Sequence, residues 1–168
     1  MDEIIINIDS VYSSCDSLFS EIYISSGVVD FPDHEWVDFT YRILIDWAEK
    51  IIPYQFEKNA DFRLYFIEGN SYRLDIHKQN EMLAVRCIEY DGCREVCLYE
   101  IEVLYTAFLK ALSKAFSKFA YLLYERDSFD GEFDSVCREL TKYKNVIYKI
   151  VKETGNVNCV LEKGKNKL

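Results

Sequence analysis

The side chains of this sequence that could do chemistry are two histidines, six cysteines and a run of acids near residue 130. His34 falls in a turn leading into a helix and His77 near a strand end; neither has a nearby cysteine or carboxylate pattern that defines a triad. Both read as ordinary turn residues rather than catalytic bases. Cys93 and Cys97, with Cys87, give half of a zinc pattern, but structural zinc takes two compact ligand pairs and the second is missing. The stretch DSFDGEFD (127–134) invites a calcium loop. Aligning Gly131 with the invariant glycine of such a loop puts Arg126 at the first ligand position and Cys137 at the last, so the alignment fails. The same residues read as a helix start, with Asp130 capping and Glu132 and Asp134 favouring the positive end of the dipole. No phosphate-binding glycine loop or G-x-S-x-G elbow occurs. Lys110, Lys114 and Lys118 read as a solvated face on a chain whose net charge repels phosphate. The expectation is a non-enzyme with no catalytic residue, no metal and no cofactor.

Charge distribution is more informative than any of these groups. The first 41 residues hold nine carboxylates (Asp2, Glu3, Asp9, Asp16, Glu21, Asp30, Asp33, Glu35 and Asp38) and no lysine or arginine. Ile4, Ile5, Ile6, Ile8, Tyr23 and Ile24 run through the same stretch, so it should fold and present a surface of one sign. Such a field steers a basic partner inward and repels nucleic acid and anionic membrane. Residues 1–100 carry 20 acids and 8 bases, net −12; residues 101–168 carry 9 acids and 12 bases, net +3. Asymmetry of this kind points to an interaction surface rather than to a fold.

With 168 residues, 49% of them hydrophobic, one domain is expected, over 1–161, with 162–168 a frayed basic tail. The N-terminus has no basic region followed by an apolar one, the apolar runs are short of a membrane span, and a domain of this size does not need disulfides. A cytoplasmic protein with six reduced thiols is the expectation.

The elements that must position the charges follow from periodicity. Strands are expected over 3–8 and 20–29. Phe31-Pro32-Asp33 should break the chain, with Asp33 capping a helix over 35–52 whose stripe is Trp36, Phe39, Ile43, Trp47 and Ile51. Asp38–Arg42 and Asp46–Lys50 pair on its solvated side, and Pro53 ends it. A four-strand meander follows at 62–67, 72–77, 82–90 and 94–99. A three-residue turn at 69–71 sets Phe66 opposite Leu74, and a two-residue Asp91-Gly92 turn sets Glu89 opposite Arg94. Long helices are expected over 101–124, buried through Leu104, Phe108, Leu112, Ala115, Phe119 and Leu122, and from the 126–131 break to about 153. The fold class is α+β: an antiparallel sheet of five to six strands, including the meander, with three main helices packed on one face.

Residues 31–47 (FPDHEWVDFTYRILIDW) and 62–76 (FRLYFIEGNSYRLDI) combine a Phe-Pro break, a Trp-x-x-Phe helix start, a second tryptophan and a strand–acidic-Gly–strand hairpin. In this the chain resembles the immunity proteins encoded beside bacterial polymorphic toxins, of the contact-dependent growth inhibition type. The resemblance covers about 46 residues, and the rest by size and element order; relatives carry Asp-Gly where this chain has Glu68-Gly69. It implies a cytoplasmic protein, monomer or weak dimer, that binds a cognate toxin C-terminal domain and blocks its active site or substrate access. Many such toxins are nucleases with basic clefts, which an acidic surface can occupy. Two candidate contact groups follow from charge and expected exposure: Asp30, Asp33, Glu35 and Asp38 around the helix start, and Asp127, Asp130, Glu132 and Asp134 between the last helices. A different class of function, a small-ligand-binding module, would place a cavity between sheet and long helix, lined by Tyr65, Tyr72, Phe108 and Phe116.

Overall fold

The computed structural model describes residues 3–14, 17–27, 29–126 and 134–165. Alternating isoleucines build the first sheet. Strand β1 (Ile5–Ser14) pairs antiparallel with β2 (Ser17–Ser25), and two short strands, β3 (Asp30–Phe31) and β4 (Val37–Asp38), both pair with β2. Ile6, Ile8, Ile22 and Ile24 point into the core. Helix α1 (Thr40–Ile51) and a 3₁₀ turn (Ile52–Gln55) lead to the second sheet. It is a meander of β5 (Asn59–Tyr65), β6 (Tyr72–Gln79), β7 (Met82–Tyr90) and β8 (Glu95–Leu104), in that spatial order. Helices α2 (Tyr105–Arg126) and α3 (Asp134–Lys165) complete the chain. The class is therefore α+β with a meander and three helices, its strands divided into two four-stranded sheets rather than joined in one.

The core is continuous between the sheets and helices. Phe108, Leu109, Leu112 and Phe119 of α2 are fully buried, α2 lies along β1 and against α3, and Leu140, Ile147 and Ile150 of α3 close the layer. Burying each such side chain contributes about 1.5–3 kcal/mol before entropy is charged against it. Burial also pushes the Cys87 thiol up to about 12, the behaviour of a small hydrophobe; Cys87, Cys93, Cys97 and Cys137 are free thiols.

Four local expectations are corrected. Helix α1 begins at Thr40, not near 35, because Val37 and Asp38 pair with β2 and Glu35 adopts φ 61°, outside the helical region. Asp33 therefore caps no helix; its Oδ1 accepts the amide of the next residue, His34 (2.8 Å). Asp46–Lys50 forms as expected (2.8 Å), and Pro53 sits inside the 3₁₀ turn. In the β5–β6 hairpin Leu64 faces Leu74 and Phe62 faces Ile76. The inward faces are as expected, but Phe66 does not face Leu74: its amide donates to the Tyr72 carbonyl (3.1 Å), so the turn spans 67–71, with Gly69 at φ 73°. In the β7–β8 hairpin Asp91 Oδ1 accepts the amides of Cys93 (2.9 Å) and Arg94 (3.0 Å), which builds a four-residue turn. Glu89 then faces Val96 rather than Arg94. Finally, Ile101–Leu104 belong to β8 and α2 starts at Tyr105. Of the expected 126–131 break, 127–131 lie outside the described residues. So do 166–168 of the expected tail, while α3 runs to Lys165.

Lys78 is buried in the second sheet. Its ammonium donates to the carbonyls of Glu57 and Asn80 and lies 5.1 Å from the Tyr105 ring centroid. The phenol of Tyr105 in turn donates to the Ile51 carbonyl (2.9 Å).

Candidate functional site

The solvent face of the first sheet is set by the same alternation that builds its core. With Ile8, Ile22 and Ile24 inward, Asp9, Glu21 and Tyr23 point outward, and the β1–β2 register places Asp9 directly opposite Glu21. Asp30 on β3 and Glu35 in the following loop complete a ring of acids around Tyr23. Partial burial, then Asp30, Glu21, Glu35 and Asp9 in that order, raise the Tyr23 phenol above its ordinary value. His34 lies among them, its Nδ1 3.3 Å from Asp30 and its Nε2 3.7 Å from Glu35, with its ring edge-on to Tyr23. Ile5, Tyr12 and Val37 are exposed beside the acids, and the Tyr12 hydroxyl donates to Glu21 (3.4 Å). Among the described residues two of the three non-glycine residues at positive φ, Ser10 and Glu35, belong to this region. The face offers negative charge, apolar contact and two fixed backbone irregularities.

The expected contact residues separate under this geometry. Asp30, Asp33 and Glu35 are at the surface, Glu35 with 71% of its side chain exposed. Asp38 is not: it is 0% exposed, which removes it from any contact surface. Its two oxygens accept the Trp36 indole (3.1 Å) and the amides of Phe39 (2.7 Å), Ile67 (2.9 Å) and Glu68 (2.9 Å). Asp38 thereby ties β4 of the first sheet to the β5–β6 turn of the second, and it forms no pair with Arg42. Of the second group, Asp127, Asp130 and Glu132 lie outside the described residues; Asp134 is exposed in the first turn of α3. Asp9, Glu21 and Tyr23 were not singled out from the sequence. The signal for them is the alternation through EIYIS, which becomes a cluster only once β1 and β2 are paired.

The solvent face of the second sheet is organised differently. Arg63, Asp75, Arg86 and Glu100 occupy one row across its four strands, each facing a neighbour of opposite sign. Arg73, 12% exposed, donates Nε to Asp75 (2.7 Å) and both Nη groups to Glu95 (2.7 Å each). Those bonds, Glu95 first, hold the Arg73 guanidinium more firmly protonated than usual, and Arg73 holds the carboxyls of Asp75 and Glu95 below their ordinary values. His77 meets Asp61 at 2.8 Å. Each histidine thus has a carboxylate, and among the described residues neither bonds to a serine, threonine or cysteine.

The expected ligand cavity is not where the sequence suggested. Phe108 and Phe116 are buried in the core, whereas Tyr65 is on the outer face, so the four aromatics do not line one space. An open cleft of about 740 Å³ lies instead at the β5 edge, lined by Lys50, Tyr54, Asp61, Arg63, Tyr65 and His77 among others. Among the described residues no group of three or more His, Cys, Asp or Glu side chains is placed to hold a metal, and no helix is long and apolar enough to cross a membrane. In comparisons with known proteins, no family model, curated protein or solved structure matches the chain.

Proposed function

We propose that this chain is a non-enzymatic immunity protein that binds and neutralises a cognate bacterial toxin domain of basic charge. The observation that carries the reading is the cross-strand pair Asp9–Glu21, continued by Asp30 and Glu35 around Tyr23. Like charges directly opposite each other destabilise a sheet. A protein that keeps Asp9 and Glu21 without a basic partner among the described residues, beside exposed Ile5, Tyr12 and Val37, has the composition of a docking face for a cationic surface. A nuclease toxin fits that description, because its cleft must attract phosphate. The resemblance of residues 31–76 to immunity proteins supports the same reading and a cytoplasmic location.

The test is capture of a partner with the tagged protein from its own cells, at low and high salt, with identification by mass spectrometry. A basic protein encoded by the neighbouring reading frame, retained at low salt and weakened at high salt, is the expected result. Asp9→Asn/Glu21→Gln should then slow association about tenfold without changing the fold. Capture of nothing at either salt, or a partner indifferent to these substitutions, would remove the reading. A second reading, a small-ligand module, is favoured by the cleft at the β5 edge; a heat-stability shift with a metabolite library, lost on changing Arg63 and Tyr65, would support it.

A further inference from the structure

Helix α2 carries a surface that the basic-partner reading does not use. Lys110, Lys114 and Lys118 are exposed at successive i,i+4 positions, and exposed Tyr121 continues the stripe. Among the described residues none of the three lysines is in an ion pair, although every exposed arginine of the second sheet is. Helix α3 repeats the pattern with Lys144, Tyr148 and Lys152. Unpaired lysines alone are an ordinary solvated face. Their placement relative to the acids is not ordinary.

Helix α2 lies along β1 and against α3 and buries Phe108, Leu112, Ala115 and Phe119, which puts the lysines on the side of the helix away from the core that it shares with the sheet. Ile8, Ile22 and Ile24 put Asp9, Glu21 and Tyr23 on the side of the sheet away from the helix. The two charged faces are therefore back to back, separated by a helix and a sheet, a distance of about 20 Å. That exceeds the screening length of about 8 Å at physiological salt, so neither neutralises the other within one molecule. Between molecules they match. Lysines at i,i+4 recur about every 6 Å along the helix axis, and directly paired strand residues stand about 5 Å apart. Each face also carries exposed aromatic side chains, Tyr121 on one and Tyr12 on the other.

We infer that the lysine stripe of α2 is an interaction surface for the acidic sheet face of a second copy of this chain. The contact is heterologous, so copies associate head to tail and the array stays open unless the rotation closes it. A basic partner on the acidic face competes with this association, and the chain's own helix sets a threshold that such a partner must exceed. The inference does not need the partner to be a toxin.

Sedimentation equilibrium of the purified chain alone tests it. At about 0.1 M salt, where the screening length of about 10 Å is shorter than the separation of the two faces but longer than the spacing of paired charges, the weight-average mass should rise with concentration above the 19.8 kDa monomer, and the rise should vanish at about 1 M salt, where that length is about 3 Å. Lys110→Gln/Lys114→Gln/Lys118→Gln should be monomeric, and so should Asp9→Asn/Glu21→Gln/Glu35→Gln. Mixed, the two variants retain one intact face each and should form a dimer that grows no further. A wild-type protein monomeric throughout, variants that associate like wild type, or a mixture that stays monomeric would each overturn the inference. So would binding of a single-stranded oligonucleotide to the lysine stripe of a chain that never self-associates, since the stripe would then serve a polyanion. No toxin is present in the experiment, so its failure leaves the basic-partner reading standing.

Discussion

In the second sheet Arg63, Asp75, Arg86 and Glu100 stand side by side and every neighbour has the opposite sign; in the first, Asp9 stands opposite Glu21 with Asp30 and Glu35 close by. One sheet spends its surface charge on its own cohesion. The other leaves Asp9 and Glu21 without a basic partner among the described residues and also holds Ser10 and Glu35 at positive φ, where the non-glycine residue of the second sheet in that conformation is Asn80, a residue type that tolerates it. The difference separates a scaffold from a surface held ready for something outside the molecule. It also shows that acidity in a sequence is not one property: Asp38 is as acidic as its neighbours and is wholly structural.

The largest way to break that comparison is at the joint between the sheets. Asp38→Ala leaves the Ile67 and Glu68 amides and the Trp36 indole without their acceptor; urea denaturation should show a loss of about 3–4 kcal/mol, or about 10 °C in Tm. An unchanged midpoint would mean that the sheets are held together elsewhere. Arg73→Gln should cost about 1–2 kcal/mol at neutral pH. It should also alter the acid limb. Because Arg73 lowers the folded-state Asp75 carboxyl below its unfolded value of 3.8, that contribution is present above about pH 4 and is lost as pH falls through the depressed folded value. Wild type should therefore lose stability more steeply than Arg73→Gln below about pH 4, and parallel acid limbs would show that the pair is not coupled to folding.

Smaller effects sharpen the contrast on the first sheet, where substitution should stabilise. Glu35→Asn places a residue that accepts φ 61° and should raise stability by about 0.5–1 kcal/mol, while weakening capture of a basic partner. Glu21→Thr removes the like-charge pair and should add a few tenths of a kcal/mol at low salt, a gain that fades as salt is added. If both substitutions destabilise, the acidic face is part of the scaffold after all.

Strong periodicity made the meander and the helices legible. The buried alternation of β6 and β7 and the α2 stripe through Phe108, Leu112, Ala115 and Phe119 appear where their spacing puts them. What was not legible depends on side chains that compete with the backbone. Trp36 and Phe39 have helical spacing, yet Asp38 between them is committed to amides about 30 positions away, and the helix waits until Thr40. Asp91-Gly92 has the composition of a two-residue turn, but the Asp91 carboxylate gathers two following amides and lengthens it. The run IEVL suits strand or helix equally, and pairing with β7 decided for strand. The candidate site was visible as a count of charges and not as a place. Asp30 and Glu35 stand among the candidate contacts of the sequence and Asp9 and Glu21 do not, because only the β1–β2 register brings the four together.

The indoles of the chain's two tryptophans bond to different sheets. Trp47 is fully buried and gives its indole hydrogen to the Tyr65 carbonyl on β5 (3.0 Å), whereas half-buried Trp36, next in the chain to Glu35 of the acidic ring, gives its own to Asp38. The molecule thus has two built-in optical reporters of different colour, a blue-emitting one for the core and a redder one beside the acidic face. A ligand that shifts only the red component has docked on the first sheet, and a denaturant that shifts both has opened the whole fold.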